Sequence, residues 1–200
     1  MTTHSAAVAP RQVLADLIPA ARLGVWARDA ILVGAGAALV GVSAQVAVPI
    51  PAISPVPFAL STLTVLLVGA ALGPIRGILS MGLYLAAGAA GMPWFAEAES
   101  GVGIVSLGYI VGYIAAAALV GEIAKRGGDR TVLRTAGIMI AGNLAIYAFG
   151  VPYLVLNTGM SWTEGLAVGV VPFLITDAIK VLIAAALLPG TWRLVTRFRR

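Results

Sequence analysis

The feature that most constrains this chain is a long apolar stretch, residues 165–188, that contains one acidic and one basic residue. A helix needs about 20 apolar residues to cross the hydrocarbon core of a bilayer, so this stretch is long enough. Asp177 and Lys180 lie three positions apart, and on a helix they share a face and can pair. Because a charge at the centre of a membrane helix costs about 2.5–3.5 kcal/mol, the pair indicates a functional site.

Two other interpretations of the pair stay open from sequence. Lys180 can extend its ammonium to the membrane surface, or the two residues can form a purely structural ion pair. Ligand binding is favoured because other apolar segments also carry polar or aromatic residues, and apolar walls with a few polar groups are typical of small-molecule sites. The predicted substrate-binding residues are Asp177, Lys180, Asn143, Tyr109, Ser106, Tyr84, Trp94 and Phe173.

Composition places the chain in a membrane. Hydrophobic residues make up 60% and charged residues 10% of the sequence, whereas soluble domains carry about 25% charged residues. With no cysteine and a single histidine, His4, the chain lacks the residues of a His/Cys metal site or a Ser-His-Asp triad. It also has no P-loop motif for ATP. We therefore expect no catalytic residue, no metal and no cofactor, and the chain is not predicted to be an enzyme.

The apolar segments predict an all-α polytopic membrane protein with six transmembrane helices in one bundle. The predicted spans are residues 30–48, 58–72, 77–91 and 104–125, a fifth that begins near Thr135 and ends or kinks at Pro152, and 165–188. Residues 161–164 form a capping box that is predicted to open the last span. The sequence is therefore predicted to divide into three regions. These are an N-terminal interfacial segment with a short helix (1–28), the substrate-binding transmembrane domain (29–190) and a basic tail (191–200).

Two irregular segments are predicted to cover a bound substrate at the outer surface. Residues 49–57 contain four prolines and cannot form a helix, so they are expected to make a cap or a hairpin-like loop. Residues 92–103 form the second loop.

The basic residues predict the topology. Of the 13 Lys and Arg residues, Lys180 alone lies in the interior of a predicted span, and the loops 49–57, 92–103 and 152–163 contain none. The positive-inside rule then places the N- and C-termini in the cytoplasm. The basic residues behind the net charge of +5 thus set the orientation in the membrane and contact anionic membrane lipids. Nucleic acid is not an expected partner.

Small residues form a stripe on the first predicted span. Gly34, Ala38 and Gly41 lie on one helix face, where small side chains let another helix approach closely. Packing inside the bundle and docking to a partner subunit both stay open.

Five segments in the same order, residues 55–63, 69–74, 84–93, 142–152 and 172–180, resemble the BioY family of biotin transporters. These are the substrate-binding S-components of energy-coupling-factor (ECF) transporters, and the resemblance covers about residues 30–190. It implies a six-helix bundle in the bacterial inner membrane that binds biotin near its outer face. The implied partners are a transmembrane coupling subunit and cytoplasmic ATPase subunits.

The resemblance also implies site residues. Asp177 and Lys180 match the acidic and basic residues of the last span and are implied ligand contacts, and Asn143 follows the matching Gly142. The family motif Gly-Pro-Thr-Gly-Gly-Tyr is only partly kept at residues 104–109, where Gly108 and Tyr109 match and the proline and one glycine are lost.

Three functions are weighed for the chain. The first is a biotin-binding subunit that delivers substrate to an ATP-driven ECF module. The alternative is a stand-alone, proton-coupled secondary vitamin transporter, and the third is a purely structural subunit. A carboxylate such as Asp177 can accept from the ureido N–H groups of biotin, and the Lys180 ammonium can donate to the ureido oxygen or to the carboxylate tail. The orientation of biotin and the oligomeric state stay open.

Overall fold

The protein is mostly helical, and the computed structural model describes residues 11–20 and 24–198. Its elements follow the chain in order: α1 (Gly24–Ala44), β1 (Ala47–Val48), β2 (Phe58–Ala59), α2 (Ser61–Leu72), α3 (Pro74–Ala89), α4 (Leu107–Lys125), α5 (Val132–Thr158), α6 (Trp162–Gly169) and α7 (Phe173–Phe198). Short 3-10 turns lie at Leu14–Leu17 and Ala96–Ala98. The strands pair antiparallel and close a hairpin around residues 49–57, as the prolines of that loop predicted.

Four helices, α1, α4, α5 and α7, are long and apolar enough to cross a membrane, and α2 is a shorter apolar helix. Large apolar side chains on their outer faces are exposed, among them Leu133, Leu156 and Ile175. Such faces suit lipid rather than water, because soluble proteins rarely expose large contiguous apolar patches. The chain is therefore a helical membrane protein.

Helix α4 lies at the centre of the bundle, against α2, α3 and α5. Its glycines allow very close approach. A Cβ atom added at Gly112 would lie 2.8 Å from the carbonyl oxygen of Ile146 on α5. The apolar core forms where these helices meet and includes Leu66, Tyr113 and Met139.

The last predicted span is not one helix. Residues 170–172 form a turn that separates α6 from α7, so the prediction of a continuous span over 165–188 is wrong. Pro172 explains the break, because it cannot donate a helix hydrogen bond and its ring clashes with the preceding turn. The capping box at Ser161 and Glu164 is confirmed, but it opens the short helix α6. Asp177 accordingly lies near the start of α7 rather than in the middle of a span.

Other boundaries also differ from the sequence expectations. Helix α5 continues through Pro152 to Thr158, so Pro152 does not end it and the following connection shrinks to residues 159–161. Helix α3 begins at Pro74, directly after Gly73, whose φ of 83° suits glycine. Among the described residues before α1, the short N-terminal helix is the 3-10 turn Leu14–Leu17. Expectations for residues 1–10, 21–23 and 199–200 lie outside the described residues.

Many of the basic residues meet at one end of the bundle. Arg76 pairs with Asp16 at 2.8 Å and with Asp29 at 3.1 Å, joining α3 to α1 and to the N-terminal segment. At the same end, the Trp192 indole donates to Asp129 at 2.6 Å, and the Arg130 guanidinium lies 3.8 Å from the Trp192 ring. Residues 191–198 therefore continue α7 and pack against the α4–α5 connection.

The small-residue stripe of α1 is divided between two environments. A Cβ atom at Gly34 would meet nothing within 4 Å, and Ala38 is exposed. Gly41 is buried, and a Cβ atom there would lie 2.8 Å from the Trp94 ring. The prediction that Gly41 belongs to an open docking surface is therefore wrong, because the Trp94 ring occupies that position.

Replacing Gly112 by alanine should destabilise the protein, since the added methyl group collides with the α5 backbone. Overpacking of this kind costs about 1–3 kcal/mol. Gly137→Ala on α5 is the matched control, because a Cβ atom there meets nothing within 4 Å and alanine favours a helix by about 1 kcal/mol. Equilibrium unfolding in detergent measures both. Equal stability of the two variants would contradict the close packing of α4 on α5.

Candidate functional site

One narrow cavity gathers most of the predicted substrate-binding residues. Its walls come from α2, α3, α4, α5 and α7, and from the hairpin and loops at the end of the bundle opposite the basic residues. The predicted residues that line it are Tyr84, Ser106, Tyr109, Asn143, Phe173, Asp177 and Lys180.

Trp94 is the predicted residue that does not line this cavity. Its ring packs beside Tyr84, with 5.2 Å between ring centroids. The indole N–H donates to the Tyr84 carbonyl at 2.9 Å, and the Tyr84 hydroxyl donates to the Trp94 carbonyl at 3.2 Å. Trp94 therefore packs on the far side of Tyr84 from the cavity and fixes the position of Tyr84 in the cavity wall.

The ammonium of Lys180 is the centre of the polar network. It donates to the Asp177 carboxylate at 3.1 Å, to the Thr62 hydroxyl at 2.7 Å and to the Ala59 carbonyl at 3.0 Å. The predicted pairing of Asp177 with Lys180 is thus confirmed, and the lysine does not extend to the membrane surface. Its contacts join α7 to the start of α2 and to β2 at the base of the hairpin.

Asp177 has a second partner, because the Tyr147 hydroxyl donates to its other carboxylate oxygen. The side chains of Lys180 and Asp177 are 12% and 10% exposed, so both charges are largely removed from solvent. In such surroundings a charge is tolerated only when it is paired and hydrogen-bonded. These contacts satisfy that condition.

Two polar groups in the cavity have no hydrogen-bond partner among the described residues. The Ser106 hydroxyl is buried and unpartnered, and the buried Asn143 amide makes no side-chain hydrogen bond there. The other hydroxyls are occupied: Tyr109 donates to the Gly169 carbonyl at 2.9 Å, and Ser61 and Tyr113 bond to each other at 2.9 Å. Because unpartnered buried polar groups are costly, Ser106 and Asn143 are the free contacts for a ligand.

Aromatic rings form much of the apolar wall. Phe58 stacks on Phe173 with 4.6 Å between centroids, and Tyr84 lies parallel to Tyr113 at 6.3 Å. Flat surfaces of this kind suit a compact ring system.

Two irregular segments lie over the cavity. Val56 and Pro57 of the hairpin and Ala96 of the 92–103 loop belong to its lining. The 92–103 loop is acidic. Burial raises the pKa of the Glu99 carboxyl, and the nearby Glu97 raises it further.

A second, more open groove lies between α5 and α7. Its walls are apolar, with Leu144, Leu174 and Leu182 among them. Asn143, Tyr147 and Asp177 lie at its inner side as well as in the enclosed cavity. The polar network thus separates the cavity from this groove.

Sequence reasoning missed several members of the network. Thr62 gave no distinctive pattern in an apolar helix, and the Ala59 carbonyl is a backbone group that no side-chain pattern can identify. The sequence does place Tyr147 in the same interior as Asn143, because it lies one turn after Asn143 and so shares its helix face.

A bundle of apolar helices around an enclosed pocket, with one buried ion pair and two free neutral polar groups, defines a membrane-embedded small-molecule-binding protein. The comparison with known families is specific: residues 11–197 match the model of the BioY family. The chain belongs to that family.

Individual relatives agree with this assignment. A biotin transporter BioY of Thermotoga maritima is 34% identical over 79% of this chain and 92% of that protein. A probable biotin transporter BioY of Pyrococcus horikoshii is 35% identical over 77% of this chain and 90% of that protein. A 2.1 Å crystal structure of the S-component for biotin from an ECF-type ABC transporter superposes with a TM-score of 0.73 over 83% of this chain and 91% of that chain. At 19% identity, this likeness concerns the fold.

Replacing Thr62 by valine should weaken the network, because Lys180 loses an acceptor that valine cannot replace. A hydrogen bond to a charged group contributes about 1.5–3 kcal/mol to stability. We expect a loss of this size in the free energy of unfolding in detergent, with recovery in Thr62→Ser, which keeps the hydroxyl.

The matched control is Thr64→Val on the same helix, since Thr64 makes no side-chain hydrogen bond within the described part of the chain. Its change should stay within about 0.5 kcal/mol. Equal effects of Thr62→Val and Thr64→Val would mean that Lys180 does not depend on the Thr62 hydroxyl.

Proposed function

We propose that this protein captures biotin at the outer face of the membrane and delivers it to an ATP-driven ECF module. The observation that carries the proposal is the enclosed cavity, in which the buried Asp177–Lys180 pair, the unpartnered Ser106 hydroxyl and the Asn143 amide meet. Membership of the BioY family gives the ligand its identity, because relatives of this chain are named biotin transporters.

The chemistry of biotin suits the cavity. Its ureido ring has two N–H donors and one carbonyl acceptor, which the Asp177 carboxylate, the Asn143 amide and the Ser106 hydroxyl can complement. Its fused sulfur-containing ring is compact and apolar, and we assign Tyr84, Tyr109 and Phe173 to contact with it. Trp94 supports this wall through Tyr84.

Entry of biotin requires the covering segments to move. The cavity is narrow, and residues of the hairpin and of the 92–103 loop close it. Glu97 and Ala98 of that loop both have left-handed backbone conformations, with φ of 59° and 58°. Strained residues concentrate in ligand clamps and switch regions. We therefore propose that residues 49–57 and 92–103 act as the lid.

We further propose six membrane crossings with both termini in the cytoplasm of a bacterial cell, in its inner membrane. In this arrangement α2 and α3 are short spans, and α6 lies at the outer surface beside the lid. Residues 29–190 form the binding domain, the segment 1–28 lies at the inner surface, and the basic residues 191–200 lie at the cytoplasmic end. The Arg76, Lys125 and Arg130 side chains at one end of the bundle favour this orientation.

Partners follow from the same assignment. The chain has no P-loop, so ATP hydrolysis falls to separate ATPase subunits, which a transmembrane coupling subunit connects to this one. Stand-alone, proton-coupled transport has less support, because the similar solved structure is described as part of an ECF-type ABC transporter.

Replacing Asp177 by asparagine, or Lys180 by alanine, should lower biotin affinity at least about tenfold, since either change leaves the other charge buried without its partner. Titration calorimetry on the purified protein measures the affinity. Glu122→Gln and Lys125→Ala are matched controls, because both residues lie near the basic end of α4, away from the cavity. Normal binding by Asp177→Asn and Lys180→Ala would remove the pair from the site.

Replacing Gly34 by leucine on α1 should impair biotin uptake and leave biotin binding unchanged. Gly34 and the exposed Ala38 form the part of the small-residue stripe that remains open for a partner subunit. The control is Gly137→Leu on α5, where a Cβ atom also meets nothing within 4 Å. For both variants, biotin uptake by cells is compared with biotin binding by the purified protein. A loss of binding in Gly34→Leu would assign this face to internal packing.

A further inference from the structure

Within the described residues, Lys180 provides the cavity with its only lysine or arginine side chain, and its hydrogen bonds are already used. A lysine ammonium has three donors. Asp177, Thr62 and Ala59 each accept from it, at 3.1, 2.7 and 3.0 Å. Because the Asp177 carboxylate also balances its charge, the polar end of the cavity offers no free cation to an anionic ligand group.

The groups that remain free are neutral. Both the Ser106 hydroxyl and the Asn143 amide can donate and accept hydrogen bonds. A urea also does both, through its N–H groups and its carbonyl oxygen. A carboxylate only accepts, and in a buried site it needs a cationic partner. The free polar groups therefore match the ureido ring of biotin and not its carboxylate.

The outer side of the cavity is also without a cation. Residues 49–57 and 92–103 contain no lysine or arginine, and neither do residues 159–161 between α5 and α6. Glu97 directly follows Ala96, which lines the cavity, and Glu99 lies in the same turn of chain. A carboxylate that points toward the lid therefore meets no lysine or arginine of these three segments.

We propose that this pocket recognises the uncharged ring system of biotin and does not require a charge at the end of its side chain. Esters and amides of biotin are then ligands of the same site. The inference rests on the proposed function, since it concerns how biotin itself is held. It assigns discrimination to the ureido group, through Ser106, Asn143 and the Asp177–Lys180 pair.

The first test is calorimetric titration of the purified full chain with biotin, biotin methyl ester and biotinamide. The three dissociation constants should agree within about threefold, because no interaction of the pocket is lost. An analogue in which an imino group replaces the ureido oxygen should bind at least about a hundredfold more weakly, since its protonated guanidine donates where the site is built for an accepting oxygen.

The outcomes separate this inference from the proposed function. Normal biotin binding with at least tenfold weaker binding of the ester and the amide would overturn the inference and leave the function intact. Failure of biotin itself to bind would overturn the proposed function and the inference with it.

A second, independent test compares how substitutions at Lys180 and Lys125 change the affinities for biotin and for its methyl ester. Lys180→Met should weaken biotin and its methyl ester by the same factor, because the lysine acts on both ligands through Asp177 and the shape of the cavity. A direct contact between Lys180 and the biotin carboxylate would instead weaken biotin alone, and that result would overturn the inference. Lys125→Met is the control and should leave both affinities unchanged, since Lys125 lies at the end of α4.

Discussion

The ammonium of Lys180 connects three parts of the molecule that are far apart in sequence. It donates to Asp177 on its own helix, to Thr62 at the start of α2 and to the Ala59 carbonyl at the base of the hairpin. A charge this well buried is stable only while its partners remain, so α7, α2 and the base of the hairpin at Ala59 are held in one fixed arrangement. The polar end of the cavity is therefore formed before any ligand arrives, which limits the entropy lost on binding.

The break before α7 gives this cation its position. Because Pro172 stops the helix, α7 begins at Phe173, and Phe173, Asp177 and Lys180 all lie in its first turns. The interruption also leaves the Gly169 carbonyl free to accept from Tyr109, which orients that ring in the cavity wall. A continuous helix over 165–188 would use this carbonyl in its own backbone. An irregular backbone segment among apolar helices is tolerated where protein groups satisfy it and where it lines a cavity.

Much of this arrangement could be predicted from side-chain patterns. The apolar composition indicated a membrane protein, and the spacing of Asp177 and Lys180 indicated an ion pair. The break at residues 170–172 could not be predicted, because the apolar sequence continues through it and a proline within a membrane segment does not always end a helix, as α5 shows at Pro152. The contact of Lys180 with the Ala59 carbonyl could not be predicted either, because it involves a backbone group and not a side chain. Trp94 was expected in the cavity because its aromatic ring offers flat apolar surface, but contact with Gly41 places it behind the wall.

The central claim is that the buried pair is kept intact to complement a captured molecule. An experimental structure of the protein with biotin bound, at a resolution that places individual side chains, tests it most directly. We predict the ureido ring beside Ser106 and Asn143, with the Lys180 ammonium still bonded to Asp177. Density for biotin in the groove between α5 and α7, or an enclosed cavity that stays empty in the presence of saturating biotin, would contradict the account.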